Sequence, residues 1–307
     1  MADYRVVSYE TDAGPRAGMV VGEELYPLSE SAAGLPGSVI ELLQRWREAE
    51  PMLEQAAAKI ASEKRAGKKL AQMKLLSPVL YPSAVYCAGA NYGDHAAEMA
   101  RAANRPPPPD PHEAGLKPWH FMKAPRAIVA SDVDVAIPPE TKKLDWEAEL
   151  AAVIGRPAKA VSEASALDYV AGYLVANDLS ARDLSRRKGV PETSGFHHDW
   201  ISHKSFDGSC PLGPWLVPAK QVGDPQKLDI KLWVNDVIKQ DSNTAKMLFS
   251  LAEQIAFLSS RVTLHPGDVV LTGTPAGVGN GRGEYLNKGD VVKVWIEKVG
   301  TITNKMV

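Results

Sequence analysis

From about residue 80 onward, the chain consists largely of short apolar segments that are separated by Gly, Pro and Asp. Segments of about four to eight residues between such turn-forming residues are typical of β-strands. Helical patterns do not alternate regularly with them, as they would in a fold of repeated β-α units. We therefore predict an α+β, mainly β fold in the form of a mixed sandwich or roll. The clearest strand candidates are 127–130, 149–154, 169–176, 228–234, 269–272 and 291–296.

A smaller unit precedes this region. Residues 5–9 alternate as a strand does, and residues 17–27 have the pattern of a hairpin. The composition changes after Leu76, where prolines introduce a linker. We predict two domains, a small N-terminal α+β domain at 1–75 and a larger catalytic domain at 76–307.

The composition excludes several classes of protein. Apolar residues make up 45% of the chain and charged residues 23%, which is normal for a soluble globular protein. The net charge of −2 gives no general attraction to nucleic acid or to an anionic membrane. The start of the chain lacks the features of a signal peptide, and its two cysteines, Cys87 and Cys210, have no metal-binding or redox spacing. We expect a cytoplasmic protein.

Two acidic residues, Glu147 and Glu149, come just before an apolar run that ends at Ile154. Side chains alternate across a strand, so these two carboxylates face the same side. They remain ionised together only where water or a cation offsets their repulsion. The pair alone is more typical of a solvated edge strand than of a metal site.

A third carboxylate, Asp178, follows the apolar segment 169–176 and so lies at the end of another strand. Three carboxylates at strand ends supply one side of an all-oxygen shell, which suits Mg²⁺ or Mn²⁺ and leaves positions for water and a chelating substrate. We therefore interpret the three together as a divalent-metal site. Arg182 and Asp183 follow closely in the sequence, and we interpret them as a structural ion pair with each other.

Five separate motifs occur in order along the chain: Leu144-Asp-Trp-Glu-Ala-Glu-Leu150, Asn177-Asp-Leu-Ser-Ala-Arg-Asp183, His203-Lys-Ser-Phe-Asp-Gly208, Gly213-Pro-Trp215 and Leu271-Thr-Gly-Thr-Pro-Ala-Gly-Val-Gly279. Together they resemble the fumarylacetoacetate hydrolase superfamily over roughly residues 80 to 300. The resemblance implies a β-rich roll or sandwich (a pseudo-barrel) and usually a homodimer. It also implies a Mg²⁺ or Mn²⁺ site with Glu147, Glu149 and Asp178 as ligands.

The segment after Ala90 contains His95 and Glu98, which face the same side if the segment is helical. A carboxylate beside an imidazole orients it and raises its basicity, which suits a general base that activates water. On its own, such a pair is usually a helix-surface ion pair. The segment resembles the lid helix of acylpyruvate hydrolases in the same superfamily, and that resemblance implies a catalytic dyad.

The resemblance also implies substrate-contacting residues. Lys204 would hold a substrate carboxylate or stabilise an enolate, and Thr274 would contact substrate oxygens. Tyr92 and Lys123 are further candidates for substrate binding. Many members of the superfamily carry Gln where this chain has Ser185, and the shorter hydroxyl changes the reach toward the substrate.

Two other patterns are rejected. The glycine-rich segment 277–283 resembles a phosphate loop, but a strand follows it rather than the helix of a dinucleotide-binding fold. His197, His198, Asp199 and His203 suggest zinc, but their spacing matches no closed site, so we expect hydrated loop histidines instead.

Together these features predict a metal-dependent hydrolase that cleaves a C–C bond of a 2,4-diketo acid, such as an acylpyruvate or a fumarylpyruvate-like substrate. A decarboxylase, isomerase or hydratase of a 2-keto acid could use the same site. The His95–Glu98 pair favours the hydrolase, because hydrolysis needs a base that activates water. A non-catalytic binding protein on a β-rich fold is the contrasting class, and it would need neither convergent carboxylates nor a lid.

Overall fold

A computed structural model describes residues 3–307 of the protein. Its strands form a twelve-stranded sheet, a four-stranded sheet and a two-stranded ladder. In chain order, the strands are β1 (Arg5–Tyr9), β2 (Arg16–Val21), β3 (Glu24–Pro27), β4 (Lys68–Lys69), β5 (Leu75–Leu76), β6 (Val85–Ala88), β7 (His120–Lys123), β8 (Ile128–Val129), β9 (Leu144–Asp145), β10 (Ala148–Ile154), β11 (Val170–Asn177), β12 (Ser180–Ala181), β13 (Cys210–Pro218), β14 (Asp229–Val234), β15 (Val237–Asn243), β16 (Val269–Leu271), β17 (Val291–Ile296) and β18 (Gly300–Lys305).

The α-helices are mostly short and connect or cover these strands. None of them, within residues 3–307, has both the length and the apolar character that a bilayer crossing requires. In chain order, they are α1 (Leu28–Ser31), α2 (Val39–Gln44), α3 (Trp46–Glu63), α4 (Gly93–Ala102), α5 (Glu163–Ala166), α6 (Trp200–Lys204), α7 (Ala219–Val222), α8 (Leu251–Arg261) and α9 (Gly279–Arg282).

The large sheet runs from the N-terminal strands to the edge strand β7, in the order β4-β3-β2-β1-β13-β11-β10-β16-β6-β7. The N-terminal strands join it through antiparallel pairing of β1 with β13, in which Val6 lies opposite Leu216. The two predicted domains therefore share one sheet, and the boundary between residues 75 and 76 stays a prediction. At the centre, every residue of β10 and β11 is buried, because both strands carry apolar side chains on both faces.

The four-stranded sheet, in the order β15-β14-β17-β18, packs on these central strands. Both β14 and β17 alternate between buried and more accessible residues, which is the pattern of a sheet with one dry face. Ile230, Leu232 and Val294 share a core with Leu150 and Val175 of the large sheet. Over residues 3–307 the fold is mixed and mostly sheet, with no closed barrel, and the predicted fold class is confirmed.

Local sequence signals explain where the longer helices lie. Ser250 and Glu253 form a reciprocal capping box that begins α8. The amphipathic helix α3 buries Leu53, Ala57 and Ile60 in the core of the N-terminal half of the large sheet. Helix α4 follows β6 and packs against α9, and this places it beside the strand ends that carry the acidic residues.

Candidate metal centre and active site

One end of the β10–β11 pair carries the three carboxylates that the sequence singled out. The two strands are antiparallel with Ala148 opposite Asn177, so Glu147 precedes one strand where Asp178 follows the other. The backbone N–H of Asp178 donates to the carbonyl of Glu147 over 2.9 Å. Glu149 lies two residues further along on the same side, and one oxygen of each carboxylate lies within 4.8 Å of the others.

Hydrogen bonds from neighbouring segments hold these side chains. The N–H of Gly273 donates to Oε2 of Glu149 over 2.7 Å. Gly273 has a φ of 95°, and a Cβ there would lie 2.8 Å from the Cβ of Asn91, so glycine is required at this position. On the other side, Oδ1 of Asn177 accepts from the backbone N–H of Glu147 over 3.0 Å.

Two buried lysines contact the carboxylates. Nζ of Lys204 lies 2.7 Å from both Oε2 of Glu147 and Oδ2 of Asp178. Nζ of Lys123 lies 2.6 Å from the other oxygen of Asp178. Burial lowers the pKa of Lys204, but attraction by Asp178 and Glu147 outweighs it, so the pKa is raised and the ammonium remains charged.

Arg182 belongs to the same ionic network, and our interpretation that it pairs with Asp183 is wrong. Its Nε lies 2.8 Å from Asp145 and its guanidinium also contacts Glu147 over 2.5 Å. The ladder between β9 and β12 places Arg182 there, because Ser180 lies opposite Asp145. Asp183 instead accepts hydrogen bonds from the side chain at position 141 and the backbone at position 142. Asp145 lies in the same sequence motif as Glu147 and Glu149. That motif could therefore have indicated that Arg182 pairs with Asp145.

The neighbouring cations do not neutralise the three carboxylates equally. Burial acts to raise the pKa of Glu147, but Lys204 and Arg182 outweigh it and hold that pKa well below its usual range. Burial, followed by the charges of Asp178 and Glu147, raises the pKa of Glu149 well above its usual range. In the described part of the chain, no lysine or arginine forms a salt bridge with Glu149. A divalent cation would supply the missing charge, so these oxygen donors fit Mg²⁺ or Mn²⁺.

A cavity of about 130 Å³ opens above two of the carboxylates. Gln240 positions Thr274 in its wall by donating from Nε2 to the Thr274 hydroxyl over 2.8 Å. Gln240 also accepts from the N–H of Ala148 over 2.9 Å, so Thr274 is tied to the start of β10. The other side chains that line the cavity include His95, Trp119, Phe121, Arg182, Trp200, His203 and Lys204.

Helix α4 forms one wall and carries the predicted dyad. His95 is buried and lines the cavity, and its Nδ1 lies 3.8 Å from Oε2 of Glu98, a distance suited to an ion pair rather than to a hydrogen bond. Glu98 also accepts a hydrogen bond of 2.9 Å from the N–H of Gly277. Burial acts to raise the pKa of Glu98, but His95 and the Gly277 N–H outweigh it, so the pKa is lowered and the carboxylate is ionised at neutral pH.

Three predicted substrate contacts, all within the described residues, do not line the cavity. Tyr92 is fully buried, and its hydroxyl has no partner among residues 3–307. Lys123 lies against Asp178, and Ser185 donates its hydroxyl to the carbonyl of Arg182 over 2.8 Å. Their roles in substrate binding stay predictions.

Comparison with known proteins identifies the family. Residues 84–307, which include every residue that lines the cavity, match the fumarylacetoacetate (FAA) hydrolase C-terminal family. The chain belongs to the fumarylacetoacetate hydrolase superfamily. The resemblance seen in the five sequence motifs is thereby confirmed.

Superfamily members that resemble this chain carry different names. Oxaloacetate tautomerase Fahd2a, mitochondrial, of Rattus norvegicus is 38% identical over 290 residues, which cover 94% of this chain and 85% of that protein. 2,4-Didehydro-3-deoxy-L-rhamnonate hydrolase of Sphingomonas sp. (strain SKA58) is 40% identical over 227 residues, 73% of each chain. The structure of fumarylacetoacetate hydrolase from Exiguobacterium antarcticum matches with a TM-score of 0.76 and 30% identity over 99% of both chains.

Proposed function

We propose that this superfamily member is a divalent-metal-dependent hydrolase that cleaves a C–C bond of a 2,4-diketo acid. Glu147, Glu149 and Asp178 form what we call the acidic triad. The observation that carries the proposal is that His95, with Glu98 beside it, lines the same cavity as two of these carboxylates. Hydrolysis needs a water-activating base next to the site that stabilises the leaving enolate, and this arrangement meets both requirements.

The acidic triad defines the role of the metal. A Mg²⁺ or Mn²⁺ ion held by Glu147, Glu149 and Asp178 would supply the Lewis acidity that stabilises negative charge on a 2-keto acid. The protein's own contribution is to keep the cavity charged and ordered. Lys204 and Arg182 fix Glu147 in place, and Thr274 offers a hydroxyl toward substrate oxygens.

His95 carries out the proton transfers. Its imidazole takes a proton from water, and the resulting hydroxide adds to the distal carbonyl carbon of the substrate. The bond between that carbon and its neighbour then breaks, its electron pair passes to the departing pyruvate enolate, and His95 returns the proton to the enolate carbon. Glu98 stabilises the imidazolium between these two transfers. The products are a carboxylic acid and pyruvate, or a related keto acid.

Tautomerisation is the second candidate, and the relative named oxaloacetate tautomerase supports it. His95 could move a proton between the enol oxygen and the neighbouring carbon without consuming water. Decarboxylation and hydration are further reactions of a 2-keto acid that the same residues could support. These reactions differ in whether water enters and in whether pyruvate appears.

The test supplies Mg²⁺-loaded protein separately with acetylpyruvate, fumarylpyruvate and oxaloacetate. We expect equimolar pyruvate and carboxylic acid from at least one acylpyruvate, with activity lost in EDTA and restored by Mg²⁺. A change in enol absorbance of oxaloacetate without pyruvate would instead support the tautomerase. Cleavage that persists without metal, or no cleavage of any acylpyruvate, would overturn the hydrolase proposal.

A further inference from the structure

We propose that the cavity selects keto acids whose end distal to the carboxylate is planar and apolar, above all aromatic, rather than a second carboxylate. This inference rests on the proposed function, because it assumes that the keto-acid end of the substrate lies at the acidic triad. It concerns the opposite side of the same cavity.

That side is a continuous set of rings, which we call the aromatic wall: Trp119, Phe121, Trp200 and His203. Trp200 is its centre, with ring centroids 5.6 Å from Trp119, 5.4 Å from Phe121 and 5.7 Å from His203. All four side chains line the cavity. These separations are the ones at which aromatic rings attract each other, so a further planar group inserted beside them gains both stacking and apolar burial.

The aromatic wall begins directly beside the triad. Nζ of Lys204 lies 5.0 Å from the centroid of the Phe121 ring while it contacts Glu147 and Asp178 at 2.7 Å. One lysine therefore bridges the charged and the aromatic sides. A substrate with its carboxylate and 2-keto oxygen at the triad has only a few bonds to cross before its distal end meets the rings.

The outer rings are accessible, and the backbone beside them leaves space for them. The exposed fraction is 52% for Trp119 and 41% for Trp200. A Cβ on Gly89 would lie 1.7 Å from the Trp119 ring, so only glycine allows the indole to lie over this strand end. The N–H of Gly89 also donates to the carbonyl of Trp119 over 3.0 Å. The strand end at Gly89 therefore fixes the position of Trp119.

The charges of the site argue against a second carboxylate. Three cations, the buried Lys123 and Lys204 and the partly buried Arg182, already pair with carboxylates. Four buried carboxylates surround them: Asp145, Glu147, Glu149 and Asp178. Among these seven groups, a bound dication would turn the deficit of one positive charge into an excess of one, which matches one substrate carboxylate. A second carboxylate would lie against the aromatic wall, where the described cavity residues offer no cation that is free to pair with it.

His203 does not supply a counter-charge. Burial, followed by repulsion from Lys204 and Arg182, lowers its pKa to about 3. Its imidazole is therefore neutral at physiological pH and acts as another planar ring of the aromatic wall. No other cation among the described cavity residues is left without a carboxylate partner.

A matched pair of inert ligands tests the proposal by binding alone. N-Phenyloxamate and N-oxalylglycine both present a chelating 2-keto carboxylate, but the first ends in a phenyl ring and the second in a carboxylate. Oxamate, which has neither, reports on the keto-acid end. All three are titrated calorimetrically into the Mg²⁺-loaded protein. We expect N-phenyloxamate to bind about tenfold more tightly than N-oxalylglycine, as expected for ring stacking plus apolar burial.

Variants assign that preference to the aromatic wall. Trp200→Ala should weaken N-phenyloxamate binding by about tenfold and leave oxamate within about twofold. Trp119→Leu should act in the same direction and serves if Trp200→Ala does not fold. Trp233→Ala, on the outer face of the four-stranded sheet, is the matched control and should change neither affinity.

The outcomes separate this inference from the proposed function. Metal-dependent oxamate binding without a preference for the phenyl ligand, or with tighter binding of N-oxalylglycine, would overturn the aromatic selection alone. A preference that survives both variants would also overturn it. If oxamate does not bind even with Mg²⁺ present, the proposed keto-acid site fails, and this inference fails with it.

Discussion

The floor and the lid of the cavity are built in different ways. The floor consists of the acidic triad with Lys123 and Lys204, all of them buried, and ion pairs of 2.6–2.7 Å join the two lysines to Glu147 and Asp178. The lid segment, residues 93–119, consists of α4 and a proline-rich loop, most of which is accessible. Helix α4 buries His95 but leaves its other residues at least partly accessible.

This difference indicates that the floor and the lid segment have different roles. The floor holds its charges in fixed positions through strand pairing and buried ion pairs. The lid segment is mostly accessible, and polar contacts such as those of Glu98 with Gly277 and of His112 with Glu253 help to hold it, so we expect it to open at a lower free-energy cost than the floor. A rigid floor and a lid that opens more easily suit a reaction that admits substrate and then excludes water.

Removing one charge from the floor should have the largest effect. Glu149→Gln keeps an oxygen that accepts from Gly273 but loses the negative charge that a divalent cation requires. We expect metal-dependent turnover to fall by about 10³-fold or more, because the Lewis-acid contribution is several kcal/mol. Turnover assays and Mg²⁺ titration calorimetry measure this change.

The control for that variant is Glu163→Gln, on an exposed residue of α5. It should leave both turnover and Mg²⁺ affinity unchanged. Near-normal turnover in Glu149→Gln, in protein with an unchanged melting temperature, would contradict the assignment of Glu149 to the metal.

Changing the lid should separate base catalysis from metal binding. Glu98→Gln removes the charge beside His95 and weakens the base, so we expect kcat to fall by about 10- to 100-fold. Mg²⁺ affinity should not change, because Glu98 is not part of the triad. Glu113→Gln in the exposed lid loop is the control. A loss of metal affinity in Glu98→Gln would remove the distinction between floor and lid.

Much of the floor could be predicted from local sequence patterns. The alternation that places Glu147 and Glu149 on one side, and the apolar strand that ends just before Asp178, are properties of adjacent residues. The three carboxylates converge because β10 and β11 pair antiparallel, which brings the start of β10 beside the end of β11. The capping box that begins α8 likewise consists of residues that are close in the sequence, Ser250 and Glu253.

The features that sequence reasoning missed depend on contacts between distant segments. Arg182 was assigned to its neighbour in sequence, whereas its partners Asp145 and Glu147 lie 37 and 35 residues away. Trp119 and Trp200 lie 81 residues apart, and nothing in the sequence around either indicates that their rings meet at 5.6 Å. The pairing of Arg182 follows from the register of β9 and β12, which a single sequence determines poorly. The contact of the two tryptophans depends on how a helix and a loop pack together.

The contact between His112 and Glu253 should have the smallest effect. Nε2 of His112 lies 2.8 Å from Glu253, its Nδ1 lies 3.4 Å from Asp110, and its ring packs on Phe249. The hydrogen bond to Glu253 is the main reason that the pKa of His112 is raised, with a smaller contribution from Asp110. The group is exposed, so we expect His112→Asn to change KM by less than about threefold.

The pH dependence of that contact should distinguish the lid segment from the floor. Because the folded-state pKa of His112 is raised, its stabilising charge is fully present below the ordinary histidine pKa and is lost as pH rises through the raised value. Hydrogen exchange, corrected for its intrinsic base catalysis, should therefore show that the protection of residues 103–116 falls as pH rises. The protection of β10 should not change. In His112→Asn the lid segment should lose this pH dependence. Equal pH dependence in both proteins would mean that other contacts hold the lid segment closed.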